Sequence, residues 1–288
     1  MKNGAFAVLI VILSIFTAGA DPYDFTVVAN RSGSSISLLD VGSAGEIREI
    51  GSRKLGFDFE PMYCSLFRQT SAGGPSDSIV FGDGKNDQVV FLDGMAGTVR
   101  QRVTVGKGVI HQFADRTLPN LLVVATDIEK GFTVVEYKRP PSSGGGFETR
   151  RFNLPQTFTS GKPHDIIADQ KYVYLSVLGV QSDGKTFDAL LQVDQVSLQI
   201  VATREFSKEI HLFSPAAAPY FIVVEQESGT IRLIEKETLN DLARVAGPKG
   251  GHGVFASRDG KNIFVTNIEA AAGADSILPS EWYRVQKA

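Results

Sequence analysis

The stretch GGHGVFASRDGKNIFVTN, residues 250–267, constrains this chain more than any other, because weaker copies of it recur along most of the 288 residues. A Gly-rich approach leads to His252. An apolar run follows at Val254 and Phe255, then a turn of Arg258, Asp259, Gly260 and Lys261, then a second β-rich run from Ile263 to Thr266. Branched and aromatic residues suit a pleated surface and Asp-Gly closes a tight turn, so the unit reads as strand, turn, strand. A unit this small cannot bury its own faces, so its copies must pack on one another.

From Phe25 the runs FTVVAN, SISLLDV and EIREI give three strands. From Pro61 come MYCSLF, a Gly/Ser/Pro loop expected from Ser71 to Asp77, SIVFGDG, QVVFLDG and TVRQRVTV. The next unit holds IHQFADR, NLLVVATD, FTVVEYK, the insertion PPSSGGG and FETRRFN, the insertion reading as a surface loop. Two more units follow: PHDIIADQ, YVYLSVLG, DALLQVDQ and LQIVATREF, then IHLFSPAAAP, YFIVVEQ, TIRLIEK and DLARVAG. The opening repeat comes last, trailed by a small-residue run from Ala270 to Ala274 and the segment ILPSEWYRVQ.

Four-stranded antiparallel sheets recurring every 40 to 53 residues, with no helical period between them, predict an all-β fold, a β-propeller. Six sheets can be counted, two of them partial. The first supplies strands two to four of a blade and the last strands one, two and at most a third. Both contain the second-strand motif, so they are not halves of one blade, and ring closure and the choice between six and seven blades stay open. Residues 21–288 are expected to form this single domain.

The residues IFVTN and FTVVAN, with DGKNIFVTN and SISLLDV around them, resemble the YVTN-type, lactonase-like β-propeller repeat. The resemblance covers nearly the whole mature chain and is sharpest at its two ends. It implies a ring, usually of seven blades, with a His-Gly or Pro-Gly lead into each unit. The family's PDG turn is here Ser257-Arg258-Asp259-Gly260.

Composition bounds the rest. A hydrophobic content of 43% against 21% charged residues is enough to build a sizeable core, and a net charge of -3 with mixed signs offers no basic face for nucleic acid. Residues 1–20 put Lys2 before an apolar run from Ala5 to Phe16 and end in Ala18-Gly19-Ala20, the pattern of a cleaved secretory signal. The run is shorter than the ~20 residues of a membrane span. The expected product is therefore a secreted monomer, extracellular or periplasmic, starting near Asp21 and without a membrane span. One cysteine excludes an intramolecular disulfide, and Asn30-Arg31-Ser32 is a glycosylation sequon expected in an exposed turn.

The candidate chemistry lies in the histidines. His111, His164, His211 and His252 are separated by 53, 47 and 41 residues, one repeat each, and Cys64 precedes His111 by 47. Aligned on that spacing, all five fall at the start of a first strand, and in a propeller those starts encircle one mouth of the central channel. Imidazole and thiolate suit copper or zinc, and by fold analogy a polyhistidine ring holds the copper–sulfur centre of nitrous oxide reductases. The structural alternative is that these imidazoles bond a neighbouring blade and line the channel; the family habit of Pro-His-Gly here points to it. Asp165 is the expected supporting carboxylate.

Asp83-Gly84-Lys85-Asn86-Asp87 opens like a calcium loop but lacks the downstream Glu, and reads as a β-turn. No nucleophile elbow, P-loop or dinucleotide fingerprint is present. Two functions stand: a binding or interaction protein offering its channel mouth to a small molecule or protein, or an enzyme there. The enzyme would be a copper or zinc oxidoreductase or lyase on the four histidines, or a lactonase-like hydrolase, although no lactonase Glu/Arg motif can be matched.

Overall fold

The computed structural model describes residues 25–41, 47–71, 74–93, 97–138, 146–207, 209–214, 218–256, 263–267 and 282–283. Val-, Ile- and Phe-rich runs there pair antiparallel into six sheets, four of four strands and two of three. Residues 1–20, expected as a secretory signal, most of the PPSSGGG insertion, residues 258–261, expected as a turn, and the run from Ala270 to Ala274 lie outside the described residues. Among the described residues no helix is long and apolar enough to cross a membrane.

The chain divides into two compact units, Met1–Arg150 and Arg151–Ala288, the division falling within one strand. The first sheet holds β1 (Phe25–Asn30), β2 (Ser35–Val41) and β3 (Ile47–Arg53). The second holds β4 (Pro61–Ser71), β5 (Gly74–Asp83), β6 (Gln88–Asp93) and β7 (Thr98–Thr104), and the third β8 (Val109–Phe113), β9 (Leu121–Thr126), β10 (Gly131–Lys138) and β11 (Gly146–Asn153). Each sheet runs in chain order.

Strands β5 and β6 show why the sheets stack. Successive side chains point to opposite faces. Ile79, Phe81, Val90 and Leu92 go to the first sheet, packing on Val27, Ala29, Ile36, Leu38 and Phe59. Val80, Val89 and Phe91 go the other way, onto Val109, Leu122, Val124 and Val135. Each fully buried side chain of this kind contributes about 1.5–3 kcal/mol. A sheet with two apolar faces therefore needs a neighbour on each side.

In the second unit β12 (Lys162–Ala168), β13 (Tyr172–Ser182), β14 (Lys185–Asp194) and β15 (Ile200–Phe206) form one sheet. Strands β16 (Ile210–Phe213), β17 (Tyr220–Glu225), β18 (Thr230–Glu235) and β19 (Asp241–Ala246) form the next, and β20 (Gly251–Ala256), β21 (Ile263–Asn267) and β22 (Trp282–Tyr283) the last. Tyr174 packs on Phe221 with ring centroids 5.0 Å apart, while Ile222, Val224 and Ile231 pack on Val254, Ile263 and Val265. The fourth strands β15 and β19 alternate exposed and half-buried residues, as edge strands facing solvent do.

Three local expectations change or sharpen. The Ser71–Asp77 loop is instead the end of a long hairpin, paired out to Ser71 and Gly74. Its strands are pinned by Arg68 on Asp77, at 2.9 and 3.2 Å, and by the Thr70 N–H on Asn120 Oδ1. The Asp83 segment is a turn: the buried Asp83 carboxylate accepts the Glu60 and Lys85 N–H groups and the Asn86 and Gln88 amides. In the sequon, Asn30 ends β1 half-buried, its amide donating to Ser37 Oγ at 2.8 Å and Ser35 Oγ at 3.2 Å.

Candidate functional site

The first strands of the sheets carry a repeated irregularity. In β12, Pro163 pairs Val177 and Ile166 pairs Leu175, so His164 and Asp165 together oppose Ser176. In β20, His252 and Gly253 together oppose Thr266. The same bulge sets Met62 and Tyr63 against Gly82 in β4, and Ile110 and His111 against Ala125 in β8. Strand β16 has none, and His211 faces Val224 alone. An extra residue on one strand breaks the ladder and re-aims the side chains at that point.

The hydroxyls opposite two bulges absorb the stranded backbone. Ser176 Oγ accepts the Asp165 N–H at 2.8 Å and Thr266 Oγ1 accepts the Gly253 N–H at 2.8 Å. A Cβ at residue 253 would lie 2.8 Å from that Thr266 hydroxyl, so the bulge closes around glycine.

This register corrects the alignment drawn from spacing. His164 and His252 hold the first bulge position, but His111 holds the second, the place of Tyr63 and Asp165. Cys64 is past the bulge, paired with Phe81 as Ile166 is paired with Leu175. It therefore packs on the core of the first unit, and burial pushes its thiol up to about 12. It is Tyr63 that stacks on His111, ring centroids 4.0 Å apart at 27°. Sequence spacing cannot register a one-residue bulge, which is why five residues looked equivalent.

In the second unit three histidines do come together. Their strands β12, β16 and β20 are neighbours in sequence of contact. The rings of His164 and His211 lie 5.3 Å apart at 72°, and those of His211 and His252 4.0 Å apart at 38°. Asp165 ties the group. Its Oδ2 accepts the Leu212 N–H at 2.9 Å and lies 3.3 Å from His211 Nδ1, while Oδ1 lies 3.5 Å from His164 Nδ1.

On its other nitrogen His211 meets Gln226. Nε2 is 3.2 Å from Gln226 Oε1, and the Gln226 amide donates to Glu209 Oε2 at 3.1 Å. The Glu209 carboxylate thus turns the amide so that its oxygen faces the ring. Both His211 nitrogens point at acceptors, an arrangement only the doubly protonated ring satisfies in full. Burial lowers the His211 pKa, but the Asp165 hydrogen bond and charge, with Gln226 and Glu209, outweigh it and leave the value above ordinary. His252 moves oppositely. Burial, then the positive His211 beside it, bring its pKa to about 4 against the pull of Asp165, so it is neutral at physiological pH. A ring whose acceptors favour its protonated form thus adjoins a neutral imidazole, and shifts opposed in this way separate acid from base.

Asp165 was expected from sequence as a support. Gln226 and Glu209 were not, because they come from the turn after β17 and the approach to β16 with no periodic signal. Asp188 was also missed: buried in β14, it accepts the Gly179 N–H at 2.8 Å and the Ile210 N–H at 3.2 Å. An acidic residue inside the apolar run DALLQV was the available clue.

No family model matches the chain, and no curated protein does. Solved structures resemble it at low identity. The β-propeller domain of Myceliophteria thermophila Cps50 (Swd1) matches at 12% identity over 90% of this chain and 83% of that one, with a TM-score of 0.61. BBS1N, in complex with ARL6DN, matches at 11% identity over 90% and 75%, with a TM-score of 0.64. A candidate 6-phosphogluconolactonase from Bacteroides fragilis NCTC 9343 matches at 15% over 81% and 70%, with a TM-score of 0.53. Identities this low speak to fold alone, and with the repeated antiparallel sheets they make the chain a β-propeller.

Proposed function

We propose that the protein is a secreted, monomeric β-propeller of the YVTN type that binds a small molecule or protein at the imidazole cluster of β12, β16 and β20. The observation that carries this reading is the chain Asp165–His211–Gln226–Glu209, which spends every hydrogen-bonding atom of His211 on holding the cluster in place. A ring so committed positions its neighbours, and the partly buried His164 and His252 are the contact groups of this reading. Preorganised polar groups of this kind supply orientation and specificity in a binding site. IFVTN on β21 and FTVVAN on β1 support the family assignment, and BBS1N, crystallised with ARL6DN, is a propeller that engages a partner.

A lactonase-like hydrolase is the second reading. The neutral imidazole of His252 beside His211, whose acceptors favour its protonated form, supports it, as does the fold likeness to the candidate phosphogluconolactonase. One experiment separates the two. Protein secreted by its host is purified without denaturation and examined by native mass spectrometry, and the same preparation is offered glucono-δ-lactone. The binding reading expects a retained species that His252→Ala releases, no lactone turnover above background, and an N terminus near Asp21. Lactone hydrolysis abolished by His252→Ala would overturn it in favour of the hydrolase.

A further inference from the structure

The bulge in β12 does something an ordinary strand cannot. Neighbouring residues of a regular strand face opposite sides, yet the donor atoms of the consecutive His164 and Asp165 lie 3.5 Å apart. That distance is too long for a hydrogen bond. It matches the separation, about 3.4 Å, of two ligand atoms that each sit 2.0–2.1 Å from a tetrahedral metal.

We propose that His164 Nδ1 and Asp165 Oδ1 are a chelating pair for a divalent transition ion of the zinc class. The remaining oxygen, Oδ2, is engaged by the Leu212 N–H and by His211, as the outer oxygen of a ligating carboxylate commonly is. Ser176 fixes the backbone between the two ligands by accepting the Asp165 N–H. The pair is partly shielded, with side-chain exposures of 14% for His164 and 10% for Asp165. An ion placed there keeps open positions for water or a ligand. One imidazole with one carboxylate suits Zn²⁺ and its Co²⁺ substitute over hard Mg²⁺ or Ca²⁺, which take all-oxygen shells.

This differs from a ring of equivalent histidines. Asp165 becomes a ligand, and His211 becomes a positioning residue whose nitrogens face Asp165 and Gln226. The inference rests on the cluster being a binding site and deepens that reading by naming what the site holds.

The test uses the full mature protein stripped with chelator and titrated with Co²⁺, followed by its visible d–d absorption, with Zn²⁺ competition. Wild type is expected to take up one equivalent that Zn²⁺ displaces. His164→Asn and Asp165→Asn are expected to weaken uptake at least 100-fold, with the thermal midpoint of each variant read alongside to show that it is folded. His211→Gln is expected to weaken it roughly 10- to 100-fold, the range for groups that orient a ligand. No Co²⁺ bands at millimolar metal, or uptake by His164→Asn equal to wild type, overturns the inference. Loss of the native-mass species without loss of Co²⁺ uptake would instead count against the proposed function and leave the metal pair standing.

Discussion

The carboxylate of Asp188 spans two backbone N–H groups, Gly179 at 2.8 Å and Ile210 at 3.2 Å, fastening a strand of its own sheet to the first strand of the next. Asp165 repeats the device two residues on, at Leu212. The N–H groups of residues 210 and 212 leave the same edge of β16, and each meets a buried acidic side chain. A strand edge with unmet donors is costly in a protein interior. Two carboxylates from one sheet meet that need for its neighbour.

Asp188→Ala should therefore be among the most destabilising single changes in the second unit. It strands the buried Ile210 N–H, at about 1–3 kcal/mol, and the half-buried Gly179 N–H, at less because water can reach it. Asp188→Asn keeps one acceptor oxygen and should lose roughly half as much. Burial raises the Asp188 pKa more than the two backbone bonds lower it. Urea midpoints at neutral pH check both variants, and an Asp188→Ala midpoint within error of wild type would show that water replaces the carboxylate.

Much of this molecule can be read from its sequence. Runs such as NLLVVATD and YFIVVEQ carry β-branched residues between turn residues, and those local signals place six sheets in the right order. The site is less legible. A bulge adds one residue to one strand, and nothing in IHQFAD or PHDIIAD distinguishes His111 in its second position from His164 in its first. That choice is made by pairing with β9 and β13, across turns the local pattern does not encode. The same holds for the hairpin end at Ser71 and Gly74, where Gly, Ser and Pro announce a loop and a cross-strand Arg68–Asp77 pair keeps the chain extended.

That pair makes a pH prediction in the first unit. Burial raises the Asp77 pKa, but hydrogen bonds and charges from Arg68 and Arg116 outweigh it, so the folded value lies below the unfolded one of about 3.9. The folded state then binds fewer protons, and the stabilisation is present above that unfolded value and lost as pH falls through the folded one. Asp77→Asn should lower the urea midpoint at pH 7 by the equivalent of about 1 kcal/mol, and the gap from wild type should narrow steadily as the pH is taken below the unfolded value. A gap that persists undiminished in acid would mean the loss is one of packing.

Cys64 tests the corrected register. Packed on the core of the first unit, with its thiol pushed up to about 12, it holds almost no thiolate at pH 8. Alkylation by iodoacetamide at pH 8 should run at least 10-fold slower on the folded protein than on the urea-unfolded chain. Equal rates would place the sulfur in solvent.

The two bulge-closing hydroxyls give the sharpest comparison, because they do the same job at different depths. Ser176 is buried and accepts the Asp165 N–H at 2.8 Å; Thr266 accepts the Gly253 N–H at the same distance but is exposed. In Ser176→Ala no water reaches the abandoned N–H, and the cost should be about 1–3 kcal/mol. In Thr266→Val water can take the hydroxyl's place, and the cost should stay within about 0.5 kcal/mol. Denaturant unfolding of both variants reads the difference directly. If Thr266→Val proves as costly as Ser176→Ala, the hydroxyl holds the bulge by its own bond whether or not water is at hand, and burial is not what decides how firmly these strands keep their extra residue.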